Sequence, residues 1–438
     1  MFIRFKQTIL LIGDIILLYG SLILTLVVRY GKVNYFLINA HLIPFSFAFL
    51  LWLAIFYIVG LYDIRTLRRG YLLFEQILVS AFLSTASSII LFYSIPYFKI
   101  SPKTNLVIFA LVFVIIFALW RSVFGSISKT PQKRVLIIGS GKDVQELEKF
   151  LFENPQVGYK VSFQLQTIEN ITPQIIDDIL PEHKITTVII DQKTAPAESV
   201  FDSLYHHMGD IEIISLTTAY EVIMKKLPVA DVKDFSLATS MSRSRGVYEA
   251  LKRPLEFIAA IILFIILSPF MFLIWFVIKL TSRGPGVYSQ IRVGKNEKNF
   301  TLYKFRTMRS DAEKSGPQWS GVNDMRVTFF GKLLRFTHFD ELPQLINVIK
   351  GDLSFVGPRP ERPEFVNSLK NQIPYYDIRH MIKPGITGWA QINFRYGSSI
   401  EDTMEKLRYD IFYIKNRSLG IDFLIILKTI KMFVFNYR

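Results

Sequence analysis

The chain has 438 residues, a formal net charge of +15 and no cysteine, and 51% of its residues are hydrophobic. Its mean hydropathy of +0.32 is too high for an ordinary soluble protein, and its length allows two or three domains. The lack of cysteine excludes disulfides and thiolate nucleophiles, and six scattered histidines argue against zinc chemistry. The charge suits either nucleic acid or an anionic membrane surface, and the apolar runs favour a membrane and phosphorylated substrates, with no nucleic acid.

Residues 1–128 are predicted to form an α-helical membrane domain. Basic residues are more frequent in the loops at one end of the apolar runs, so the positive-inside rule places the N-terminus and everything after the fourth run in the cytoplasm. A signal peptide is the alternative for the first run, and buried core helices are the alternative for all four. Each run is close to the ~20 residues that cross the hydrocarbon layer, and the runs lie near 8–28, 43–61, 76–98 and 105–124.

Residues 129–246, with their flanking polar linkers, are predicted to form a Rossmann-like α/β domain. Strand–helix alternation is typical of a parallel sheet, with strands predicted at 134–138, 187–191 and 211–216 and a helix at 143–151. The turn after the first strand contains Gly139 and Gly141, but Val144 occupies the third glycine position of a dinucleotide-binding motif. This partial motif leaves both nucleotide binding and a structural or regulatory role open.

A long apolar segment begins the third domain, residues 247–438, and is predicted to form a re-entrant membrane helix over 250–280. Proline removes a backbone hydrogen bond, so Ser268-Pro269 in its middle predicts a helix–break–helix, with the Ser268 hydroxyl free to satisfy a backbone group. Both flanks are basic, and a full crossing, the alternative, would place one basic cluster outside. At the entry to this helix Glu256 is expected to pair with one of two neighbouring cations, Lys252 and Arg253.

A β-hairpin is predicted from two segments that alternate at period two, 284–294 and 300–308. This alternation places Lys304 and Arg306 on one face of the second strand. Such a pair is often a solvated surface, but phosphate binding is the better interpretation beside a pair of carboxylates and further arginines. The third domain is therefore of the α+β class.

Adjacent carboxylates, Asp340 and Glu341, open a predicted helix that ends at Gly351, with Asp340 as its N-cap. A plain cap needs no second acid, and arginines flank the pair at Arg335 and Arg359. A carboxylate at a helix N-terminus is expected to stay ionised, which suits a nucleophile that attacks phosphorus. The second acid, Glu341, is a candidate Mg²⁺ ligand, and the arginines are candidates for binding phosphate oxygens.

The third domain resembles the bacterial sugar transferases, the monotopic phosphoglycosyl transferases that act on polyprenyl phosphate. The layout of four spans, a Rossmann-like domain and this domain is similar to the long members that start exopolysaccharide or O-antigen synthesis. The matching motifs occur in order as Lys252-Arg253-x-x-Glu256, Ser268-Pro269, Lys304-Phe-Arg-Thr-Met308, Asp340-Glu341-Leu-Pro-Gln-Leu, Gly351-Asp352-Leu-Ser-Phe-Val-Gly-Pro-Arg359-Pro and Lys383-Pro-Gly-Ile-Thr-Gly-Trp-Ala-Gln391.

The resemblance implies a ping-pong reaction at the cytoplasmic face of the bacterial inner membrane. Asp340 would attack the sugar-bearing phosphorus of a UDP-sugar, UMP would leave, and undecaprenyl phosphate would accept the phosphosugar. Glu341 would serve Mg²⁺, and phosphates would be bound by Lys304, Arg335 and Arg359. The resemblance also implies contact with membrane lipid, a homodimer and other polysaccharide-assembly proteins as partners.

Departures from the family pattern leave the sugar and the fit of the lipid open. Glu256 stands where the family usually has aspartate, the turn at 295–298 lacks a frequent glycine, and Phe394 replaces another. Two other functions are weighed against the transferase. An oxidoreductase using the Gly139–Gly141 turn would need a Tyr-x-x-x-Lys pair, which the α/β region lacks, and a non-catalytic scaffold would be expected to lose Asp340 or the arginines.

Overall fold

The computed structural model describes residues 2–32, 35–62, 70–95, 103–127, 132–166, 172–191, 198–228, 246–309, 312, 324–394, 397 and 399–435. The chain forms two compact units, Met1–Leu216 and Thr217–Arg438. The first unit holds both the apolar helices and the α/β region, and residues 217–228 belong to the second. The three-domain division stays a prediction, since most of the linker expected near residue 236 lies outside the described residues.

The apolar N-terminal runs are helices, as predicted, and each contains a stretch long and apolar enough to cross a membrane. Aromatic rings fill the core between them, including those of Phe45, Trp52 and Phe113. Large apolar side chains also point outward, and Phe82 is 74% exposed. Such surfaces are unusual in a soluble protein and suit contact with lipid. The helices are Phe2–Tyr30 (α1), Tyr35–Val59 (α2), Gly70–Ser94 (α3) and Lys103–Ile127 (α4).

A buried ion pair links the first and fourth apolar helices. Arg121 Nη2 lies 2.6 Å from Asp14 Oδ2, and both side chains are fully buried. The Arg121 guanidinium also donates a hydrogen bond to the carbonyl of Leu61. A single charge among apolar helices is costly unless it is paired, so each residue of this pair makes the other tolerable.

A four-stranded parallel sheet follows, in the order β2-β1-β3-β4. The parallel α/β prediction is confirmed, but β2 was not predicted as a strand. It lies at the sheet edge with side chains half-buried, so it lacks the continuous apolar run of β1 and β3. The elements are Lys133–Ile138 (β1), Lys142–Glu153 (α5), Pro155–Val157 (a 3₁₀ turn), Tyr159–Leu165 (β2), Pro173–Glu182 (α6), Thr187–Ile190 (β3), Glu198–His206 (α7), Glu212–Ser215 (β4) and Leu216–Ala219 (α8).

The second unit packs a long apolar helix, two small sheets and several short helices. The first sheet is the predicted antiparallel hairpin β5–β6, and the second pairs β7 with β8 in parallel. The elements are Tyr220–Met224 (a π-helical turn), Gly246–Thr281 (α9), Val287–Val293 (β5), Lys295–Glu297 (3₁₀), Asn299–Phe305 (β6), Phe329–Thr337 (α10), Phe339–Gln344 (3₁₀), Leu345–Lys350 (α11), Ser354–Val356 (β7), Pro363–Gln372 (α12), Tyr376–Met381 (3₁₀), Gly385–Thr387 (β8), Trp389–Asn393 (α13), Ile400–Asn416 (α14) and Leu419–Phe435 (α15).

The long helix α9 is continuous for 36 residues, whereas the sequence predicts a break at Ser268-Pro269. Pro269 has no N–H to donate to the carbonyl of Ile265, four residues before it. The hydroxyl of Ser268 donates to that same carbonyl at 2.9 Å. The predicted use of the serine hydroxyl is therefore confirmed, and this hydrogen bond explains how the helix tolerates the proline.

The other elements of the second unit pack against α9 along much of the length of this helix. Ala260 contacts a core cluster that includes Leu302 and Val348, while Ile274 and Ile278 belong to a second cluster around Phe305 and Leu334. The helix thus lies against the elements that carry Lys304 and the acidic pair, and it helps to fix their position.

Candidate active site

The acidic pair lies on a 3₁₀ turn that precedes α11. Asp340 is therefore not the helix N-cap that the sequence predicts. His338 is the residue before the turn, with a left-handed φ of 56°, and Asp340 lies within the turn and is buried. The end of the helix is as predicted, because Gly351 has φ 92°. Left-handed backbone of this kind favours glycine.

Arg253, on α9, binds the C-terminus of α11. Its guanidinium donates to the carbonyls of Val348 at 2.6 Å and Ile349 at 2.9 Å. A Cβ added to Gly351 would lie 2.8 Å from this guanidinium, so the glycine also makes room for it. A cation at this end of a helix donates hydrogen bonds to carbonyls that have no partner within the helix, and it interacts favourably with the negative end of the helix dipole. Arg253 therefore anchors the short helix that follows the acidic pair.

The carboxylate of Glu341 binds two cations through one oxygen. Lys304 Nζ lies 2.7 Å from Glu341 Oε1, and Arg359 Nη2 lies 2.8 Å from the same atom. Burial raises the pKa of Glu341, but Arg359 and Lys304 outweigh that effect and hold the pKa well below its usual range. Glu341 is therefore ionised throughout the physiological range of pH.

Asp340 has a different environment, although it is the next residue in the chain. It is 8% exposed, and among the residues that the structure describes none donates a hydrogen bond to its carboxylate. Burial raises the pKa of Asp340 to about 6, with Lys304 lowering it and the Glu341 charge raising it. The sequence-based expectation of a firmly ionised Asp340 thus needs correction, because burial outweighs the helix N-terminus as a cause.

Two of the candidate phosphate-binding arginines, Arg335 and Arg306, have different surroundings in the structure. Arg335 donates from Nε to Thr307 Oγ1 at 2.9 Å, and its charge helps to lower the pKa of Asp340. Arg306 instead follows the last residue of β6 and donates to the carbonyl of Ser282 at 2.8 Å. Within the described residues its guanidinium contacts neither carboxylate. The placement of Arg306 beside the pair is therefore corrected, since the strand ends before it.

A small cleft is lined in part by Lys304 and Arg359, the two cations that bind Glu341. Arg292 and the buried Gln344 also line it, and neither was predicted as a site residue. The hairpin register could have predicted Arg292. Lys304 on β6 lies opposite Tyr288 on β5, and Arg292, four residues after Tyr288 on β5, is on the same face of the hairpin. The cleft therefore presents three cations to an anionic ligand.

Two candidate residues of α9 bind the strand that leads to Arg359. Lys252 Nζ donates to the carbonyl of Val356 at 3.0 Å and lies 2.9 Å from the carboxylate of Asp422. Glu256 accepts from Ser354 Oγ at 2.5 Å and from the backbone N–H of Phe355 at 3.0 Å. The expected pairing of Glu256 with Lys252 is present but long, at 3.8 Å. Both side chains therefore act mainly on β7.

The acidic pair has carboxylate oxygens to offer a hard cation. Both hydrogen bonds to Glu341 end on Oε1, and in the described part of the chain Oε2 receives none. Mg²⁺ typically takes one or two carboxylates together with phosphate oxygens, so Glu341 Oε2 and Asp340 fit such a site.

A second group of potential ligands contains Glu297, Asp377 and His380. The Lys370 ammonium lies 2.8 Å from each of these two carboxylates and already occupies the space between them with a positive charge. We therefore assign no metal to this group.

Comparisons with known proteins identify the family to which the region carrying this site is similar. The bacterial sugar transferase family model matches residues 247–436. The chain is similar to a UDP-N-acetylgalactosamine-undecaprenyl-phosphate N-acetylgalactosaminephosphotransferase from Aeromonas hydrophila, with 45% identity over 42% of this chain and 44% of that protein. It is also similar to an undecaprenyl-phosphate glucose phosphotransferase from Komagataeibacter xylinus, with 31% identity over 69% and 59%.

A shorter relative is covered almost completely. The exopolysaccharide production protein PSS from Rhizobium leguminosarum bv. phaseoli is 37% identical over 41% of this chain and 93% of its own length. The chain belongs to the bacterial sugar transferase family, and its apolar helices mark it as a membrane protein. It spans about half the length of the larger curated relatives described above.

Proposed function

We propose that this protein transfers a sugar-1-phosphate from a UDP-sugar to undecaprenyl phosphate, giving undecaprenyl-diphosphate-sugar and UMP. The names of the relatives support a phosphotransferase acting on undecaprenyl phosphate. The observation that carries the proposal is the contrast within the acidic pair. One carboxylate is held by two cations, and its neighbour is buried and accepts no hydrogen bond from the described residues.

In the first half-reaction, an oxygen of Asp340 attacks the phosphorus that bears the sugar. The bond between this phosphorus and the bridging oxygen of UMP breaks, and UMP leaves with that oxygen. An aspartyl-phosphosugar remains on the enzyme. With a pKa of about 6, Asp340 is mostly ionised at neutral pH, and weak basicity makes it a good leaving group in the second step.

In the second half-reaction, a phosphate oxygen of undecaprenyl phosphate attacks the same phosphorus, and the bond to Asp340 breaks. The carboxylate is restored, so the atoms and charges balance over the cycle. Lys304 and Arg359 are placed to bind the phosphate oxygens of the donor and to keep them neutralised as charge spreads in the transition state. When bound at Glu341 Oε2, Mg²⁺ would add further positive charge beside the diphosphate.

Access to a lipid carrier is supported by an apolar surface near the site. Helix α10 ends two residues before the 3₁₀ turn of the acidic pair. Phe329 at its start is 94% exposed, as is Met325 in the turn before the helix, and Leu333 and Phe336 continue the exposed face of Phe329 at helical spacing. Apolar side chains of this size suit the boundary between headgroups and hydrocarbon.

A course of α9 along one face of the membrane is supported by its contacts with the rest of the second unit. Near its start Arg253 binds α11, and at its end the carbonyl of Ser282 accepts from Arg306. Since one compact unit contacts the segment near both ends, a crossing to the far side is disfavoured. We propose that the catalytic unit lies on the cytoplasmic face and performs the first membrane step of exopolysaccharide or O-antigen synthesis.

The test is UMP release by the purified full-length protein in undecaprenyl-phosphate vesicles with Mg²⁺ and one UDP-sugar at a time. Lipid-dependent UMP from one sugar would support the reaction and identify the donor. No UMP from any UDP-sugar, with folded protein, would contradict the proposal and favour a non-catalytic scaffold.

A further inference from the structure

The loop that carries Arg359 is held by its main chain as well as by its side chain. The Arg359 guanidinium reaches forward to Glu341 at 2.8 Å. Its carbonyl oxygen, on the other side of the residue, accepts a hydrogen bond from Arg379 Nη2 at 2.9 Å. Arg379 lies on the 3₁₀ turn Tyr376–Met381, twenty residues further along the chain.

Arg379 is almost fully buried and, among the described residues, forms hydrogen bonds or an ion pair with three partners. Besides the carbonyl of Arg359, its guanidinium donates to the hydroxyl of Tyr376 and lies 3.2 Å from the carboxylate of Asp410. Asp410 is buried on α14 and binds the guanidinium from another direction. A buried charge with its partners in place holds a defined geometry, because any displacement leaves a charged group without a partner.

We propose that Arg379 is a positioning residue for phosphoryl transfer, which fixes the main chain of Arg359 so that its guanidinium meets both Glu341 and the substrate phosphates. This inference rests on the proposed function, because it needs Arg359 to bind the UDP-sugar. Arg379 is not among the residues that line the cleft, so it acts only through Arg359. Asp410 and Tyr376 orient Arg379 in turn.

Lysine cannot replace this arginine without loss. A guanidinium presents five N–H groups in a rigid fork, whereas an ammonium is a point charge on a flexible stem. Arg379→Lys therefore keeps a positive charge beside Asp410 but cannot serve Asp410, Tyr376 and the carbonyl of Arg359 together. The expected result is a folded protein in which Arg359 is less well placed.

The experiment is a double-mutant cycle on the full-length protein in undecaprenyl-phosphate vesicles, with KM and kcat for the UDP-sugar as readouts. We expect Arg359→Ala to raise KM about tenfold and Arg379→Lys to raise it about fivefold, with smaller changes in kcat. In the Arg359→Ala background, Arg379→Lys is expected to change KM by less than about twofold, because the residue through which it acts is already gone.

The matched control is Arg417→Lys. Arg417 is also buried, donates to the carbonyl of Ile414 at 2.6 Å and lies 3.2 Å from Glu249. This variant is expected to lower the thermal midpoint and leave KM unchanged. If Arg379→Lys fails to fold, Tyr376→Phe takes its place, because it removes only the hydroxyl that orients Arg379.

The outcomes separate this inference from the function on which it rests. Two outcomes would overturn the inference alone, provided that the wild type shows normal transfer. In one, Arg379→Lys raises KM fivefold both in the wild type and in Arg359→Ala. In the other, Arg379→Lys alone leaves KM unchanged. A folded wild-type protein that gives no transfer would overturn the proposed function and this inference with it. If Arg379→Lys raises KM in the wild type but not in Arg359→Ala, the result supports both the proposed function and this inference.

Discussion

Asp340 and Glu341 are neighbours in the chain, yet their carboxylates have opposite electrostatic environments. Lys304 and Arg359 hold the pKa of Glu341 well below its usual range, while burial raises that of Asp340 to about 6. Titratable groups whose environments separate their pKa values commonly have separate roles in catalysis. This separation supports the proposed roles, in which Asp340 is the reactive carboxylate and Glu341 a fixed charge.

Asp340→Asn is expected to abolish transfer, by at least about a thousandfold in kcat, because a neutral amide cannot attack phosphorus. The side chain is nearly isosteric, so folding and membrane insertion are expected to be normal. The matched control is Asp377→Asn, which removes an exposed carboxylate of the same unit that binds Lys370. UMP release by the two variants makes the comparison, and near-normal turnover by Asp340→Asn would show that another group is the nucleophile.

Transfer should depend on pH through Asp340. The nucleophile must be ionised and its pKa is raised to about 6, so kcat/KM should fall tenfold per pH unit below that value and level off above it. Glu341 stays ionised over the same range and should add no step. A profile that is flat between about pH 5 and 8, in conditions where the protein stays folded, would contradict the assignment.

Asp340→Asn is also expected to stabilise the folded protein at neutral pH. The folded pKa of about 6 lies above the value of 3.8 for an exposed aspartate. Between these values the folded protein keeps a proton that the unfolded chain has lost, so stability falls as pH rises through this window. The variant should therefore melt roughly 2–4 °C or more above the wild type at pH 7. Near pH 4 the difference should disappear, and equal melting at both pH values would argue against a strained carboxylate.

Removal of Mg²⁺ is expected to stop transfer, and added Mg²⁺ should restore it. Glu341→Gln removes the carboxylate oxygen that we assign to the cation, as well as the charge shared by Lys304 and Arg359. This variant should need at least about tenfold more Mg²⁺ for half-maximal activity, if it works at all. Titration of UMP release with Mg²⁺ measures the shift. An unchanged Mg²⁺ requirement would exclude Glu341 as the ligand.

Ser268→Ala should weaken α9 at its proline. The variant leaves the carbonyl of Ile265 without the hydroxyl that now donates to it, at a cost of about 1 kcal/mol. A lower melting temperature of the membrane-inserted protein is the expected result, and Ser268→Thr, which keeps a hydroxyl, should restore it. Equal melting of all three proteins would mean that the hydrogen bond contributes nothing in the membrane.

The sequence predicts the elements that carry a strong local pattern. The four apolar helices, the hairpin and the end of α11 at Gly351 follow from hydropathy, period-two alternation and the need for left-handed backbone. The edge strand β2 is missed because half-buried side chains leave no continuous apolar run. The unbroken course of α9 is missed because a proline in mid-helix predicts a break, whereas the Ser268 hydrogen bond and the packing of the helix are features of the folded unit.

The geometry of the candidate site could not be predicted from the sequence. The pairing of Lys304 with Glu341 joins residues 37 positions apart, and spacing along the chain cannot give that distance. The raised pKa of Asp340 depends on burial, which the sequence at this turn does not show. Arg379 is missed for the same reason, since its contacts with Arg359 and Asp410 exist only in the folded unit.

The most direct test of the account is a single-turnover experiment without the lipid acceptor. The purified protein is mixed with Mg²⁺ and an excess of the UDP-sugar that supports transfer, and UMP and protein mass are then measured. The account predicts about one UMP per active site and a phosphosugar adduct on the peptide that contains Asp340, which undecaprenyl phosphate then removes. If UMP appears only when the acceptor is present, with no adduct at any time, transfer is direct and Asp340 is not the nucleophile.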